Sequence, residues 1–297
     1  MFSPAALGHL SMLAFSLLIA GSFSIGVRIA NLMDPTALTA IRFLISGMIV
    51  GICAAFGPGF RREHFRGAWR YGVLGVLFAT YFVLMFEGLK TAPAVSASAV
   101  FTLTPILSGV AGYFILRQVM TGRMALALAV GACGALWVIF RADPVALLQV
   151  DIGYGEAIYL VGCGFHAVYT PMIARLSRGE PAMVVTFGMT VSGFLYLAAL
   201  SLPELLRIDW TALPWVFWAG LVYLAVFSSS MSFFFLSYAS VRLPSAKVMA
   251  YTYLTPSWVT AWEFALTGDL PPPLILAGIG ATVIAVLLLV REPGPVT

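Results

Sequence analysis

The chain has 297 residues, of which 61% are hydrophobic and 9% are Asp, Glu, Lys or Arg, and its mean hydropathy is +0.99. Soluble domains carry about 25% charged residues, so this composition excludes a globular cytosolic enzyme or a nucleic-acid-binding protein. It also excludes disorder, which requires low hydrophobicity and high net charge. The formal net charge of +4 is too small for a phosphate-binding surface. The composition therefore predicts an integral membrane protein.

Ten apolar segments are each long enough to cross a hydrocarbon core of about 30 Å as a helix of about 20 residues. They are continuous apolar runs, whereas a transmembrane β-barrel would show strands of about ten residues with alternating polarity. We therefore predict an all-α integral membrane protein with ten transmembrane helices, at residues 8–27, 36–56, 71–89, 94–116, 123–140, 154–174, 182–200, 213–237, 245–266 and 272–290.

The distribution of basic residues predicts the orientation, because cytoplasmic loops are enriched in Lys and Arg. The first segment has no basic residue before Arg28 and no small-residue cleavage site, so we interpret it as a spanning helix and not as a signal peptide. With a cytoplasmic N-terminus, ten basic residues lie inside and four outside. The inside set is Arg61, Arg62, Arg66, Arg70, Arg117, Arg123, Arg175, Arg178, Arg242 and Arg291; the outside set is Arg28, Lys90, Arg141 and Arg207. Both termini are therefore predicted to be cytoplasmic.

The two halves of the sequence resemble each other. Pro93 and Pro105 recur as Pro244 and Pro256, each pair at an offset of 151 residues. Many transport folds are built from duplicated units, and five helices per unit force the second unit to cross the membrane in the opposite sense. We predict two inverted five-helix repeats, residues 1–147 and 148–297, which together form one membrane domain. The alternative is an old duplication retained only for packing.

The residues resemble the drug/metabolite transporter superfamily, and within it the EamA-type transporters with ten helices. The resemblance covers essentially the whole chain and rests on the layout of five plus five helices, on Arg42-Phe43, on the run from Glu87 to Pro105 and on its echo from Ala239 to Pro256. Among these proteins the chain is most similar to the YddG-like exporters of aromatic and other amino acids. The resemblance implies export of small metabolites across the bacterial inner membrane through a central cavity.

An amphipathic solute in such a cavity requires apolar walls and a few polar groups that replace lost water. Aromatic and hydroxyl side chains near the middle of several predicted helices meet this requirement, although the same residues are also common in helix packing. His166 is the titratable side chain closest to the middle of a helix. The predicted substrate-binding residues are Phe78, Tyr81, Phe82, Ser98, Phe101, His166, Tyr169, Ser229, Lys247 and Tyr251.

Two further pairs of residues are candidates for the transport mechanism. Pro105 and Pro256 lie near the membrane centre, and we predict that they kink their helices, either as hinges or as fixed bends, with the hydroxyls of Thr104 and Thr255 replacing lost hydrogen bonds. Arg42 and Glu263 lie near the outer ends of their helices. We predict that they pair as an outer-side lock; the alternative is that each reaches the interface separately.

No motif for phosphate binding, nucleophilic catalysis or a metal site is present, so we expect neither enzymatic activity nor a cofactor. The three cysteines lie within predicted spans at spacings unsuited to a metal cluster. The leading interpretation is a multi-pass inner-membrane exporter of amino acids and similar metabolites that works by alternating access. The alternative is export of cationic drugs or other metabolites by proton antiport. The expected partners are small-molecule substrates and membrane lipid, with no nucleic acid, and a monomer is compatible with the sequence.

Overall fold

The structure is a computed structural model that describes residues 4–139, 153–268 and 273–290. Within these ranges all the regular secondary structure is helical. The helices are α1 (Pro4–Ile29), α2 (Pro35–Phe56), α3 (Trp69–Leu89), α4 (Ala94–Phe101), α5 (Thr104–Leu116), α6 (Gly122–Ile139), α7 (Tyr154–Leu176), α8 (Ala182–Arg207), α9 (Trp215–Ala225), α10 (Ser232–Ser240), α11 (Ser245–Ala250), α12 (Thr255–Thr267) and α13 (Ile275–Val290). A 3₁₀ turn, Arg62–Phe65, precedes α3.

Six of the described helical stretches are long and apolar enough to cross a membrane. They are Pro4–Ile29, Pro35–Phe56, Trp69–Leu89, Tyr154–Leu176, Ala182–Arg207 and Trp215–Ser240. Thr104–Leu116, Gly122–Trp137 and Leu276–Leu288 are apolar but shorter. The prediction of an all-α membrane protein is confirmed. Arg141, Arg291 and the predicted boundary between residues 147 and 148 lie outside the described residues.

Three of the predicted continuous spans are interrupted. The span at 94–116 is divided at Thr102 and Leu103 into α4 and α5. The span at 245–266 contains a 3₁₀ turn, Tyr251–Leu254, and the span at 213–237 contains a π-helical turn, Val226–Met231. Hydropathy averages over about 19 residues, so it registers the apolar length and not the local winding of the backbone.

Both predicted mid-helix prolines follow such an interruption. Pro105 is the second residue of α5 and Pro256 the second residue of α12, and both are buried. A proline near a helix start is tolerated because that position has no intrahelical partner for an N–H group.

The prediction that threonine hydroxyls replace the lost hydrogen bonds is wrong. The Oγ1 atoms of Thr104 and Thr255 are buried without a hydrogen-bond partner. The backbone instead tightens into turns with shorter-range bonds, as where the Leu103 N–H donates to the carbonyl of Val100 at 3.1 Å.

Helices from the two halves of the chain pack directly against one another. α2 packs against α8, α3 against α7, and α6 against α13, while α1 packs against α10 and α12. The largest group of buried apolar side chains is contributed by helices of both halves. The core is therefore shared between the halves, and neither half encloses a core of its own.

The packing of α3 on α7 depends on two glycines that bring the backbones into contact. A Cβ atom on Gly88 would lie 2.6 Å from the carbonyl oxygen of Gly155, and a Cβ atom on Gly155 would lie 2.5 Å from that of Gly88. Small residues at such crossings allow close helix contact in membranes. This contact positions α3 and α7, which carry most of the residues described below.

A buried ion pair connects the start of α3 with the loop between α7 and α8. The Nη2 atom of Arg70 donates to Oε1 of Glu180 at 2.6 Å, and the two side chains are 3% and 5% exposed. Arg70 also donates to the carbonyl of Leu176 at 2.5 Å. Burial by itself would raise the pKa of Glu180, but the hydrogen bonds from Arg70 and from the backbone N–H of Arg178 hold this pKa below its ordinary value.

We predict that Gly155→Ala destabilises the protein, because the added methyl group overlaps backbone atoms of α3 that cannot move away independently. Overpacking of this kind costs about 1–3 kcal/mol, equivalent to a decrease of about 3–10 °C in the unfolding midpoint. Gly164 lies on the same helix, and a methyl group added there would meet no neighbouring atom within 4 Å, so Gly164→Ala is the matched control. Thermal unfolding in detergent measures both; equal midpoints for the two variants would contradict the close contact.

We predict that the Arg70–Glu180 pair loses its stabilising effect in acid. The folded-state pKa of Glu180 is lowered, so the contribution is present above the unfolded-state pKa and disappears as the pH falls through the folded-state value. The unfolding midpoint of the wild type should therefore fall more steeply below about pH 4.5 than that of Glu180→Gln. Glu63→Gln, which removes the exposed Arg61–Glu63 pair, is the control and should match the wild type. Parallel acid profiles for wild type and Glu180→Gln would refute the assignment.

Candidate functional site

Aromatic side chains from several helices meet in the interior of the protein. Six of the ten predicted substrate-binding residues are among them, and every member is 0% exposed. We call this group the central cluster: Phe78, Tyr81, Phe82, Phe101, Tyr159, His166, Tyr169 and Phe233.

The rings of the central cluster are in direct contact. Phe78 stacks on Tyr169 with 4.2 Å between ring centroids, and it meets Phe82 edge-on at 4.9 Å. The Tyr81 and His166 rings are 4.5 Å apart. Because all these side chains are fully buried, the structure holds the centre closed toward both ends of the molecule.

Helical spacing explains why these residues meet. Phe78, Tyr81 and Phe82 are three and four residues apart on α3, so they project from one face. His166 and Tyr169 are three apart on α7. Since α3 packs on α7, these two faces form a single aromatic wall.

His166 is unusual within this wall because its polar atoms have no partner. Both ring nitrogens are buried and make no hydrogen bond. The nearest groups are the rings of Phe78, Tyr81 and Phe101. A buried polar group without a partner costs free energy comparable to a lost hydrogen bond, so its persistence suggests a role in binding.

Arg42 lies beside the central cluster, completely buried. Its Nε donates to Oγ of Ser229 at 2.5 Å, and its Nη2 donates to the carbonyl and the hydroxyl of Ser228 at 3.1 and 3.2 Å. The guanidinium carbon lies 3.9 Å from the ring centroid of Phe82. The Nη1 atom has no hydrogen-bond partner. The partners of Arg42 are thus serines of the segment Val226–Met231.

The π-helical turn Val226–Met231 provides the acceptors for Arg42. In a π turn the backbone bonds extend to the fifth residue, and such turns occur frequently at functional sites. Ser230 follows the same spacing, since its hydroxyl donates to the carbonyl of Ala225 at 2.8 Å. The Ser230 hydroxyl also shares a hydrogen bond of 3.1 Å with the hydroxyl of Ser46 on α2. The turn is thus bonded to α2 at two levels. Ser229, a predicted substrate residue, is occupied in this structure as an acceptor for Arg42.

The predicted pair between Arg42 and Glu263 does not form in this structure. Glu263 lies near the end of α12 and pairs with Arg28 at 3.3 Å. These two side chains are 30% and 36% exposed, whereas Arg42 extends inward to the π turn. Arg28 also donates to the carbonyl of Ser24. The physical reason is that the long Arg42 side chain extends toward the core, where the oxygen atoms of Ser228 and Ser229 accept its hydrogen bonds.

Acidic residues are absent from the surroundings of Arg42 in the part of the chain that the structure describes. The eight described carboxylates lie at helix ends or in connecting segments: Asp34, Glu63, Glu87, Glu156, Glu180, Glu204, Asp209 and Glu263. Near the helix ends, Glu87 binds Lys90 at 2.7 Å and Glu156 accepts from Ser96 at 2.6 Å. The charge of the central site is therefore positive.

The remaining predicted substrate residues lie apart from the ring contacts of the central cluster. Tyr251 shares a hydrogen bond of 2.9 Å with Nδ1 of His9 on α1. Lys247, one turn earlier, is 2% exposed. Ser98 is buried one turn before Phe101 on α4. Tyr251 also borders a lateral apolar groove of about 660 Å³ between α1, α12 and α13, so the structure does not bring it to the aromatic wall.

Comparisons with known proteins give a consistent result. The model of the EamA-like transporter family matches residues 6–140 and 153–291. A probable terminal-alkyne amino-acid exporter of Streptantibioticus cattleyicolor is 31% identical over 245 residues, which cover 82% of this chain and 80% of that protein.

More distant relatives are also named as transporters. The uncharacterized transporter YyaM of Bacillus subtilis is 23% identical, over 87% of this chain and 85% of that protein. An S-adenosylmethionine/S-adenosylhomocysteine transporter of Chlamydia muridarum is 21% identical, over 91% of this chain and 87% of that protein.

A solved crystal structure with 20% sequence identity shares the fold. It superimposes with a TM-score of 0.73 and covers 98% of this chain and 99% of its own. The family model accounts for nearly the full length, and the named relatives are transporters and not enzymes. The chain belongs to the EamA-like transporter family, within the drug/metabolite transporter superfamily.

Proposed function

We propose that this protein is a secondary transporter that exports amino acids and similar small amphipathic metabolites across the cell inner membrane by alternating access. The observation that carries the proposal is the closed central cluster, where aromatic walls surround His166 and the Nη1 atom of Arg42, two buried polar groups without partners. A mostly apolar site with a few convergent polar groups is typical of small-molecule binding. The terminal-alkyne amino-acid exporter, at 31% identity, supports the substrate class.

The proposed architecture is ten transmembrane helices in two inverted repeats, residues 1–147 and 148–297, with both termini cytoplasmic. Its support is the packing of corresponding helices. If each of the first five spans corresponds to the span five later, the contact of α3 with α7 corresponds to the contact of α10 with α1. In the same way α2 corresponds to α8 and α6 to α13, and each of these pairs is in contact. A two-fold relation produces this pattern. The two segments matched by the family model divide the chain near the same boundary.

Two ion pairs supply the closures that alternating access requires. Arg70 with Glu180 joins the two halves at the start of α3, and Arg28 with Glu263 joins them at the end of α1. If successive helices cross in opposite senses, these pairs lie at opposite faces of the membrane. Both pairs formed together with a buried centre are what we expect of an occluded state, and this supports the proposal. Opening toward either side then requires one pair to break.

The antiport of cationic drugs is less well supported by the site. A cation needs a buried carboxylate as a counter-charge, whereas the central site offers Arg42 and the described carboxylates lie at helix ends and connections.

We predict protein-dependent efflux of phenylalanine from proteoliposomes, with neither glucose nor ethidium transported. His166→Gln should reduce phenylalanine efflux, since the substitution changes the polar group at the aromatic wall. His64→Gln, in the turn before α3, is the control and should behave as the wild type. Absence of efflux for every solute would contradict the transporter proposal, and efflux of ethidium alone under a pH gradient would establish the antiport alternative.

We predict that Pro105 and Pro256 act as hinges, because each begins the second half of an interrupted helix. Cys163 is buried beside Tyr159 and reports opening of the centre. In a Cys53→Ser/Cys133→Ser background, the double variant Pro105→Ala/Pro256→Ala should slow labelling of Cys163 by a thiol reagent about tenfold, equivalent to about 1.4 kcal/mol.

Pro203→Ala is the control for this experiment, since Pro203 lies exposed near the end of α8. Its labelling rate should equal that of the parent background. An unchanged rate in the Pro105→Ala/Pro256→Ala variant would leave the prolines as fixed bends.

A further inference from the structure

The Arg42 guanidinium is a buried charge whose hydrogen bonds are only partly satisfied. A guanidinium has five N–H donors. Nε and Nη2 are directed to Ser229 and Ser228, whereas Nη1 has no partner. Neutral serine oxygens satisfy donors but do not neutralise the charge. Burial of a charge is costly unless the charge is both paired with an opposite charge and hydrogen-bonded. Arg42 makes some of its hydrogen bonds but has no paired anion among the described residues.

The described part of the chain supplies no anion for Arg42. The carboxylates nearest to other arginines are already paired, Glu180 with Arg70 and Glu263 with Arg28. A planar guanidinium binds a carboxylate particularly well, with short charge-assisted hydrogen bonds. A carboxylate on a ligand is therefore the group that would complete the site.

The surroundings of the guanidinium define what the rest of that ligand must be. The guanidinium carbon lies 3.9 Å from the ring centroid of Phe82 and within 6 Å of the ring centroids of Phe86 and Phe233. The ring of Phe82 in turn contacts the rings of Phe78 and Tyr81. A ligand carboxylate at Nη1 would thus place its body against an aromatic wall, which favours an apolar or aromatic side chain.

An ammonium group finds no equivalent anchor at this site. The described carboxylates lie at helix ends and in connections, and the wall offers hydroxyls, a histidine and ring faces. Ring faces attract cations only weakly in comparison with a carboxylate. The charges of the described residues therefore favour recognition of the carboxylate of an amino acid over recognition of its amine.

From this we propose that Arg42 is the carboxylate-binding residue and that the transporter accepts small monocarboxylates with an apolar or aromatic body, whether or not they carry an amine. This inference rests on the proposed function and specifies its substrate class. It also assigns a role to the π turn, because Ser228 and Ser229 hold the guanidinium in place while leaving Nη1 available.

The test is competition against efflux of labelled phenylalanine from proteoliposomes that contain the unmodified protein. We expect 3-phenylpropionate to compete within about tenfold of unlabelled phenylalanine. Phenylalaninamide and 2-phenylethylamine, which keep the ring and the amine but lack the carboxylate, should compete about tenfold to hundredfold less well, the range for loss of a charged hydrogen bond. Equal competition by the acids and the amines would overturn the role of the carboxylate.

Variants then assign the effect to Arg42. Arg42→Lys keeps the charge but loses the planar fork, and it should retain a reduced preference for carboxylates; Arg42→Gln should abolish the preference. Arg61→Gln, in an exposed pair, is the control and should keep the wild-type order. If Arg42→Gln keeps that order, the assignment fails. The analogue series needs no variant, so misfolding of Arg42→Gln leaves the substrate-class test intact.

The outcomes separate this inference from the proposed function. If phenylalanine is transported but the amide and the amine compete as well as the acids, the inference fails and the exporter remains. If no solute is transported at all, the proposed function fails first.

Discussion

The centre of the structure depends on the completely buried positive charge of Arg42. Arg42 extends from α2 into the core, and the protein binds it with the oxygen atoms of Ser228 and Ser229. Those oxygens are available because the helix between Trp215 and Ser240 is wound locally as a π turn. The same contact fixes α2 against this helix and places the guanidinium over Phe82. This charge is held by neutral groups, without a neighbouring carboxylate in the described chain, and that is the basis of our proposal that the interior binds an anionic group.

The ends of the molecule show the opposite electrostatic arrangement. There two arginines are paired with a glutamate of the other half, Arg70 with Glu180 and Arg28 with Glu263. In the mechanism that we propose, the ion pairs at the ends close the transporter and the guanidinium of Arg42 in the middle binds the ligand. This division matches what alternating access requires, since closures must form and break while the binding group stays in place.

Much of the fold could be predicted because it follows from periodicity and hydropathy. The aromatic wall was predictable because Phe78, Tyr81 and Phe82 share one face of a helix at spacings of three and four. The destination of Arg42 was not, because a helix position near the outer end does not reveal which way a long side chain turns. The three consecutive serines at 228–230, unusual in an apolar span, were the available signal. The partner of Glu263 could not be predicted from the sequence either. Arg28 is 235 residues away along the chain, and only the packed structure shows that the two side chains meet.

The most direct test of the account is an experimental structure of the protein with bound phenylalanine or 3-phenylpropionate. We expect the ligand carboxylate within hydrogen-bond distance of Nη1 of Arg42, with the phenyl ring against Phe82 and Phe78 and with Ser228 and Ser229 still bound to the guanidinium. Ligand in the lateral groove beside Tyr251, with Arg42 making no contact to it, would contradict the central claim.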